Sequence, residues 1–241
     1  MKRILEFYTQ LCDEVDGLTF SYPVMQTYNP LRYAWHGFSQ YMEKSPGKAR
    51  VVFVGINPGP WGMTQTGVPF GEINAVKNFL GIRELDITPP ENEHPSYPVQ
   101  GLKCQRSEVS GRRLWALFQE HYGTAENFFA DAIVLNYCPL FFIARTDAGG
   151  IRNFTPDKLN QDESEQLFEY CDMCLIRTLE ILRPEFVVGI GNFAYKRAKT
   201  ILISIDAEIV KILHPSPASP AANKDWSGKV TEQLRAAGVW V

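Results

Sequence analysis

Three polar side chains stand where this sequence could most easily do chemistry: Asn57, Asn136 and His214. Each follows closely on an apolar run, Val51–Val54, Ala132–Leu135 and Ile209–Leu213 respectively. An amide presents a donor and an acceptor on one group, and an imidazole adds a proton that exchanges near neutral pH. Taken singly, Asn136 reads as a turn cap and His214, before Pro215, as a surface loop residue. Taken together, hydrogen-bonding groups at the same end of three parallel strands converge in one crevice, which suits a small polar ligand.

The loop that carries Asn57 strengthens this expectation. Val51–Val54 is too short for a membrane span and is bounded by Gly55, as a buried parallel strand would be. It empties into a stretch with glycines at Gly55, Gly59, Gly62, Gly67 and Gly71 and prolines at Pro58, Pro60 and Pro69. Such a segment continues neither helix nor sheet, and its glycines let backbone approach a ligand closely. It also holds the aromatic Phe70, whose ordinary reading is a core residue.

The elements that must position these groups follow from the hydrophobic pattern. Strand-like runs recur at Val51–Val54, Ala132–Leu135, Phe186–Ile190 and Ile209–Leu213. Helix-like segments lie at Arg112–His121, Lys158–Leu182, Phe193–Ile203 and Asp225–Ala237, after an amphipathic N-terminal helix and a connecting stretch around Tyr28–Tyr41. Strands alternating with helices predict an α/β fold. The expected architecture is a single three-layer α/β/α domain over residues 1–241, with a central, mainly parallel four-stranded sheet. Phe70 to Gly111, with prolines at Pro89, Pro90, Pro95 and Pro98, reads as an irregular excursion over that sheet.

Composition narrows the function classes. The formal charge of −3 advertises no nucleic-acid binding globally, so such a role needs a local basic face. Lys103, Arg106, Arg112, Arg113, Lys211, Lys224 and Lys229 are its candidates, against the plainer reading of scattered solvated charges. No apolar run approaches the roughly 20 residues of a membrane span, and the N-terminus is no signal sequence. The expected location is the cytoplasm, or the nucleus of a eukaryote. Five cysteines, an odd number without a secretory signal, predict reduced thiols. Cys171 and Cys174 form a lone CxxC inside a helical segment, with no partner pair or nearby histidines for a metal, and Cys12, Cys104 and Cys138 fit no zinc spacing. No metal and no cofactor is expected. A phosphate-binding loop is not expected, because Gly55–Gly62 lacks the Gly-Lys-Ser/Thr ending.

Five segments carry a resemblance: YNPLRYAW (Tyr28–Trp35), GINPGPWGMTQTGVPFGE (Gly55–Glu72), SEVSGRRLW (Ser107–Trp115), LNYCPL (Leu135–Leu140) and HPSPASPAANKDW (His214–Trp226). In this order the chain resembles the single-strand-selective monofunctional uracil-DNA glycosylases, a branch of the uracil-DNA glycosylase superfamily. Ile56 and Trp61 stand where the best-known members look more like Met and Phe. Ala218-Ser219 stands where they resemble Arg-Asn.

The resemblance implies hydrolysis of a base–sugar bond, with an oxocarbenium-like sugar and uracil departing as an anion. Asn57 would position the attacking water, and His214 would donate to uracil O2 as charge builds there. Asn136 suits base reading, because its carbonyl accepts from N3–H while its amide donates to O4, a pattern cytosine reverses. Phe70 would stack on the extruded base. Gly59, where stricter relatives place a bulky tyrosine, would leave room beside C5 for 5-hydroxymethyluracil, and Ile56 and Met63 complete the implied substrate set. Pro215, Ser216, Pro217, Ala218, Ser219, Asn223 and Lys224 are the implied DNA contacts, a wedge that fills the gap left by a flipped base. With no lysine placed as a Schiff-base nucleophile, an abasic site without strand cleavage is expected. The implied partner is uracil-containing DNA, single- or double-stranded, bound by a monomer. Two alternatives stay open: a glycosylase acting mainly on deaminated purines such as xanthine or hypoxanthine, and a non-catalytic module that binds damaged or single-stranded DNA.

Overall fold

The computed structural model describes residues 1–203 and 205–241. Its strands are β1 (Val24–Tyr28), β2 (Val51–Gly55), β3 (Ala132–Asn136), β4 (Phe141–Arg145), β5 (Ile151–Phe154), β6 (Phe186–Ile190) and β7 (Glu208–Ile212). Its helices are α1 (Lys2–Asp16), α2 (Pro30–Tyr33), α3 (Trp35–Glu43), α4 (Met63–Thr66), α5 (Val109–Tyr122), α6 (Ala125–Asp131), α7 (Gln161–Leu182), α8 (Asn192–Ile201) and α9 (Pro220–Ala236).

The expected α/β architecture is present. Four strands form a parallel sheet in the order β3-β2-β6-β7. Every residue of β2 and β3 is buried, as continuous apolar runs require when a parallel sheet is covered on both faces. Helices provide the cover: α8 lies on β6 and β7, α6 on β3, α9 on β7, and α1 packs along α7. One hydrophobic cluster runs from Ile4 on α1 through Phe53, Trp115 and Phe118 to Val230 on α9. Each such side chain withdrawn from water contributes roughly 1.5–3 kcal/mol.

Helix ends follow local chemistry. Asn160 accepts a hydrogen bond from Glu163 N at 2.9 Å, so α7 begins at Gln161 and not at Lys158. Helix α9 starts at Pro220, earlier than the expected Asp225, and kinks at Asp225, whose carboxylate accepts from Gly228 N at 3.0 Å. The expected helix over Asp225–Ala237 corresponds to its second half.

The structure adds a second sheet. Strands β1, β4 and β5 pair antiparallel in the order β1-β4-β5, with Val24 opposite Ala144 and Phe142 opposite Phe154. The stretch around Tyr28–Tyr41 is two short helices after β1. The expected irregular excursion Phe70–Gly111 ends at Glu108, because α5 begins at Val109. Up to there it is irregular apart from helical turns around Ala75–Phe79 and Gly101–Lys103, as its prolines lead one to expect.

Candidate active site

The carboxyl ends of β2, β3 and β7 open into one cleft of about 380 Å³, within the roughly 300–1,000 Å³ of small-molecule sites. Asn57, Asn136 and His214 line it together, with Ile56, Gly59 and Phe70. The expected convergence of the three polar groups therefore holds in space.

Asn136 ends β3 opposite Gly55. Its Nδ2 donates to Met63 Sδ at 3.1 Å, while Oδ1 is buried with no partner. A buried amide oxygen left unsatisfied is costly unless a ligand supplies a donor. Met63, by contrast, does not reach the cleft wall. It is buried, and its Sδ accepts the hydrogen bond from the Asn136 amide.

Asn57 is held from the other side. Its Nδ2 donates to Leu140 O at 3.0 Å. With the amide nitrogen engaged, Oδ1 is the end left to receive a water proton.

Phe70 has φ of +52°, a backbone conformation that costs energy for a bulky side chain. Its carbonyl is locked by Trp115 Nε1 at 3.1 Å and by Glu72 N at 2.7 Å. The strained residue carries its ring against the end of β2, where a Cβ on Gly55 would fall 2.4 Å from Phe70 Cε2 and 2.5 Å from Asn136 Oδ1. Only glycine permits that floor. The ring centroid lies 6.2 Å from that of His214.

His214 follows β7 by two residues and is fixed on both sides. Trp226 Nε1 donates to Leu213 O at 2.8 Å, and Ser216 N donates to His214 Nδ1 at 3.1 Å. Accepting that bond assigns Nδ1 as the unprotonated nitrogen and leaves Nε2–H as the donor. Burial pushes the imidazole down from 6.5 to about 4, so it is neutral at ordinary pH.

The turn beyond His214 is tied down by Arg113, which donates to Pro215 O at 2.9 Å and to Asn223 Oδ1 at 3.0 Å. Asn223 Nδ2 in turn donates to Pro217 O at 2.8 Å. Ser216 and Pro217 face the cleft, whereas Pro215 is buried. Pro217 and Ala218 stand exposed at the tip with Ser219 half-buried beside them, and Lys224 lies exposed in the first turns of α9. Asn223 is exposed, and its side chain is engaged in hydrogen bonds with Arg113 and Pro217.

Several lining residues escaped the sequence reading: Pro60, Trp61, Ser107, Glu108, Val109, Ser110, Asn153 and Thr155. Those from 107 to 110 lay in a segment already singled out, SEVSGRRLW. Asn153 comes from β5 and Thr155 from just beyond it, on the unforeseen sheet. The seven candidate cations are not one free face, since Arg113 is engaged and Arg106 lies 4.3 Å over the Trp61 ring. Cys171 and Cys174 are buried on α7 as free thiols, pushed up by burial. Among the described residues no group of three or more His, Cys, Asp or Glu is placed to hold a metal ion, and no helix is long and apolar enough to cross a membrane.

Comparison with known proteins identifies the family. The family described as the uracil DNA glycosylase superfamily matches residues 42–235. The single-strand selective monofunctional uracil-DNA glycosylase of Rattus norvegicus is 42% identical over 238 residues, covering 98% of this chain and 84% of the relative. That of Bos taurus is 43% identical over 233 residues, covering 95% and 84%. The crystal structure of wild-type Pedobacter heparinus SMUG2 superposes with a TM-score of 0.67 at 17% identity, over 97% of each chain, a likeness of fold. With a family match over most of its length and relatives of this identity, the chain belongs to the uracil DNA glycosylase superfamily and is a DNA glycosylase.

Proposed function

We propose that this chain, acting as a single domain and a monomer, hydrolyses the N-glycosidic bond of uracil and of 5-substituted uracils such as 5-hydroxymethyluracil in DNA. It leaves an abasic site. The observation that carries the reading is the unpartnered Oδ1 of Asn136, buried beside Phe70 and His214 in the cleft. Uracil N3–H is a donor of the kind that oxygen lacks, and cytosine has none at that position.

A target base reaches the cleft only after leaving its stack. Phe70 takes one face of it. His214 Nε2–H then meets O2, and because the ring is neutral its contribution is a hydrogen bond that strengthens as uracil acquires negative charge. Asn57 Oδ1 holds water on the side of the sugar. An amide is a weak base, so its contribution is position. Among the described residues no lysine lines the cleft to form a Schiff base, which supports plain hydrolysis.

The exposed turn at Pro217–Ser219 is the part of the molecule fitted to press on the DNA backbone beside the flipped base. With alanine at its tip it fills little of a vacated stack. Single strands and U·G mispairs are therefore better substrates than paired U·A, because the unstacking cost is lower there.

The test is release of free base from oligonucleotides carrying uracil, 5-hydroxymethyluracil, hypoxanthine or xanthine, single- or double-stranded, with chelator present and alkali used to reveal abasic sites. Uracil release that falls at least about tenfold in Asn136→Asp is the expected result, since a carboxylate cannot donate to O4. Binding of every oligonucleotide without base release would leave only the binding module standing.

A further inference from the structure

The strongest group left unexplained is Glu108. It sits at the N-terminal boundary of α5, yet its side chain makes no hydrogen bond to that helix. It turns instead onto the loop after β2. A Cβ on Gly59 would fall 2.1 Å from Glu108 Oε2, and one on Gly62 would fall 2.7 Å from the same oxygen. The space that a missing side chain at Gly59 leaves is thus filled by a carboxyl group.

That carboxyl group has no settled partner. Oε2 is buried without a hydrogen bond. The Trp61 and Gly62 backbone amides favour its charge, while burial, the largest influence, and Glu72 oppose it. Glu72 is itself satisfied by Ser107 Oγ at 2.8 Å and Ala75 N at 3.1 Å. The other titratable groups about this wall are the neutral His214 across the cleft and Arg106, which is committed to the Trp61 ring. No cation pairs with Glu108 among the described residues.

Glu108 and Gly59 line the same cleft as Asn136 and His214. A pyrimidine with O2 at His214 and its N3–O4 edge at Asn136 turns its C5–C6 edge to a remaining wall. Gly59 and Glu108 are lining residues distinct from His214 and Asn136, and are available for that wall.

We propose that Glu108 reads the substituent at C5 of the bound base, exchanging a hydrogen bond with a neutral hydroxyl there and repelling an anionic group. The proposal rests on the uracil-excision reading above. Burial pushes the carboxyl up to about 7, so near neutral pH it is present both as a donor and as a charged acceptor. Each form can bond a hydroxyl. Only the charged form rejects a carboxylate, so the two substituents are sorted differently as pH changes.

The experiment measures kcat/KM on single-stranded oligonucleotides carrying uracil, 5-hydroxymethyluracil or 5-carboxyuracil, at about pH 6 and about pH 8.5, for the wild type, Glu108→Gln and Glu108→Leu. In Glu108→Leu, 5-hydroxymethyluracil should fall relative to uracil by about tenfold, the effect of one hydrogen bond. In the wild type, 5-carboxyuracil should fall relative to uracil by about tenfold as pH rises, and Glu108→Gln should remove that trend. Should Glu108→Leu fail to fold, the Glu108→Gln comparison decides. Ratios in both variants that match the wild type at both pH values would overturn the role of Glu108. Failure of the underlying reading is distinct, since the wild type would then release no uracil at all.

Discussion

His214 makes acid stability a test of the site. Its imidazole titrates at about 4 in the folded chain against 6.5 when solvated, because burial disfavours the charged ring. Protonating Nδ1 also removes the acceptor for Ser216 N, which lies 3.1 Å away. The native state therefore binds this proton less readily than the unfolded chain does. Stability from His214 is complete above pH 6.5 and is lost as pH falls toward 4. At about pH 4.5 most of that window has been crossed, which amounts to a loss on the order of 2 kcal/mol. Glu108 works the other way: with its carboxyl raised to about 7, stability falls as pH rises from 4.5 through that value. Urea unfolding of the wild type and of His214→Gln, at about pH 7.5 and about pH 4.5, isolates the His214 part, because Glu108 is common to both proteins. The wild type should lose on the order of 2 kcal/mol more than the variant between the two conditions. An NMR titration should place the imidazole near 4, and base release should show no inflection at 6.5 from this residue. Equal losses in both proteins, or an imidazole that titrates near its solvated value, would refute the neutral donor.

Asn57→Ala should keep the fold, read by circular dichroism, and reduce base release by roughly 10²-fold or more, the range of a well-placed catalytic group. Near-normal turnover would remove Asn57 from the chemistry. Gly59→Ala should impair uracil and 5-hydroxymethyluracil alike, because its Cβ meets the Glu108 carboxyl at 2.1 Å before it meets any base. Combining it with Glu108→Ala should restore part of the loss, and strictly additive effects in that cycle would show that the two residues are independent. Ala218→Arg should raise activity on a U·A duplex more than on single-stranded uracil at fixed salt. Equal enhancement on both substrates would mark a general electrostatic effect, and no gain on duplex would sink the wedge.

What was legible in the sequence was whatever a continuous apolar run or a compact motif encodes. Strands β2, β3 and β6 are parallel strands that announced themselves by unbroken apolar runs, and β7, at the sheet edge, by a run that only Lys211 interrupts, each within a residue or so of its true ends. The positions of Asn57, Asn136 and His214 followed, because the end of such a strand is a fixed place in the fold. The antiparallel sheet was illegible for a physical reason. The β1–β4 register joins residues more than a hundred positions apart, as with Val24 and Ala144, and in the β4–β5 hairpin the four-residue β5 has only Ile151 and Phe154 as apolar residues. Strand β4 follows Leu140 directly, so its apolar residues merge with the segment before it. Gly59 shows a different limit. Local sequence explains why glycine suits a turn, but the group that fills its missing side chain comes from Glu108, forty-nine residues on.

The second sheet is more than an appendage to the one that was foreseen. Leu140, whose carbonyl fixes the Asn57 amide, is the last residue before β4, so the position of that sheet sets the end of the amide that faces the cleft. Strand β5 brings Asn153 to the same opening, with Thr155 following it. On the proposed reading the parallel sheet supplies the groups that meet base and water, and the Asn57–Leu140 bond ties the Asn57 amide to the start of the antiparallel sheet. A side-chain amide free to rotate would present donor and acceptor ends in turn, and the water it held would lose its direction. If Asn57 holds the attacking water as proposed, the unforeseen part of the fold is what orients it.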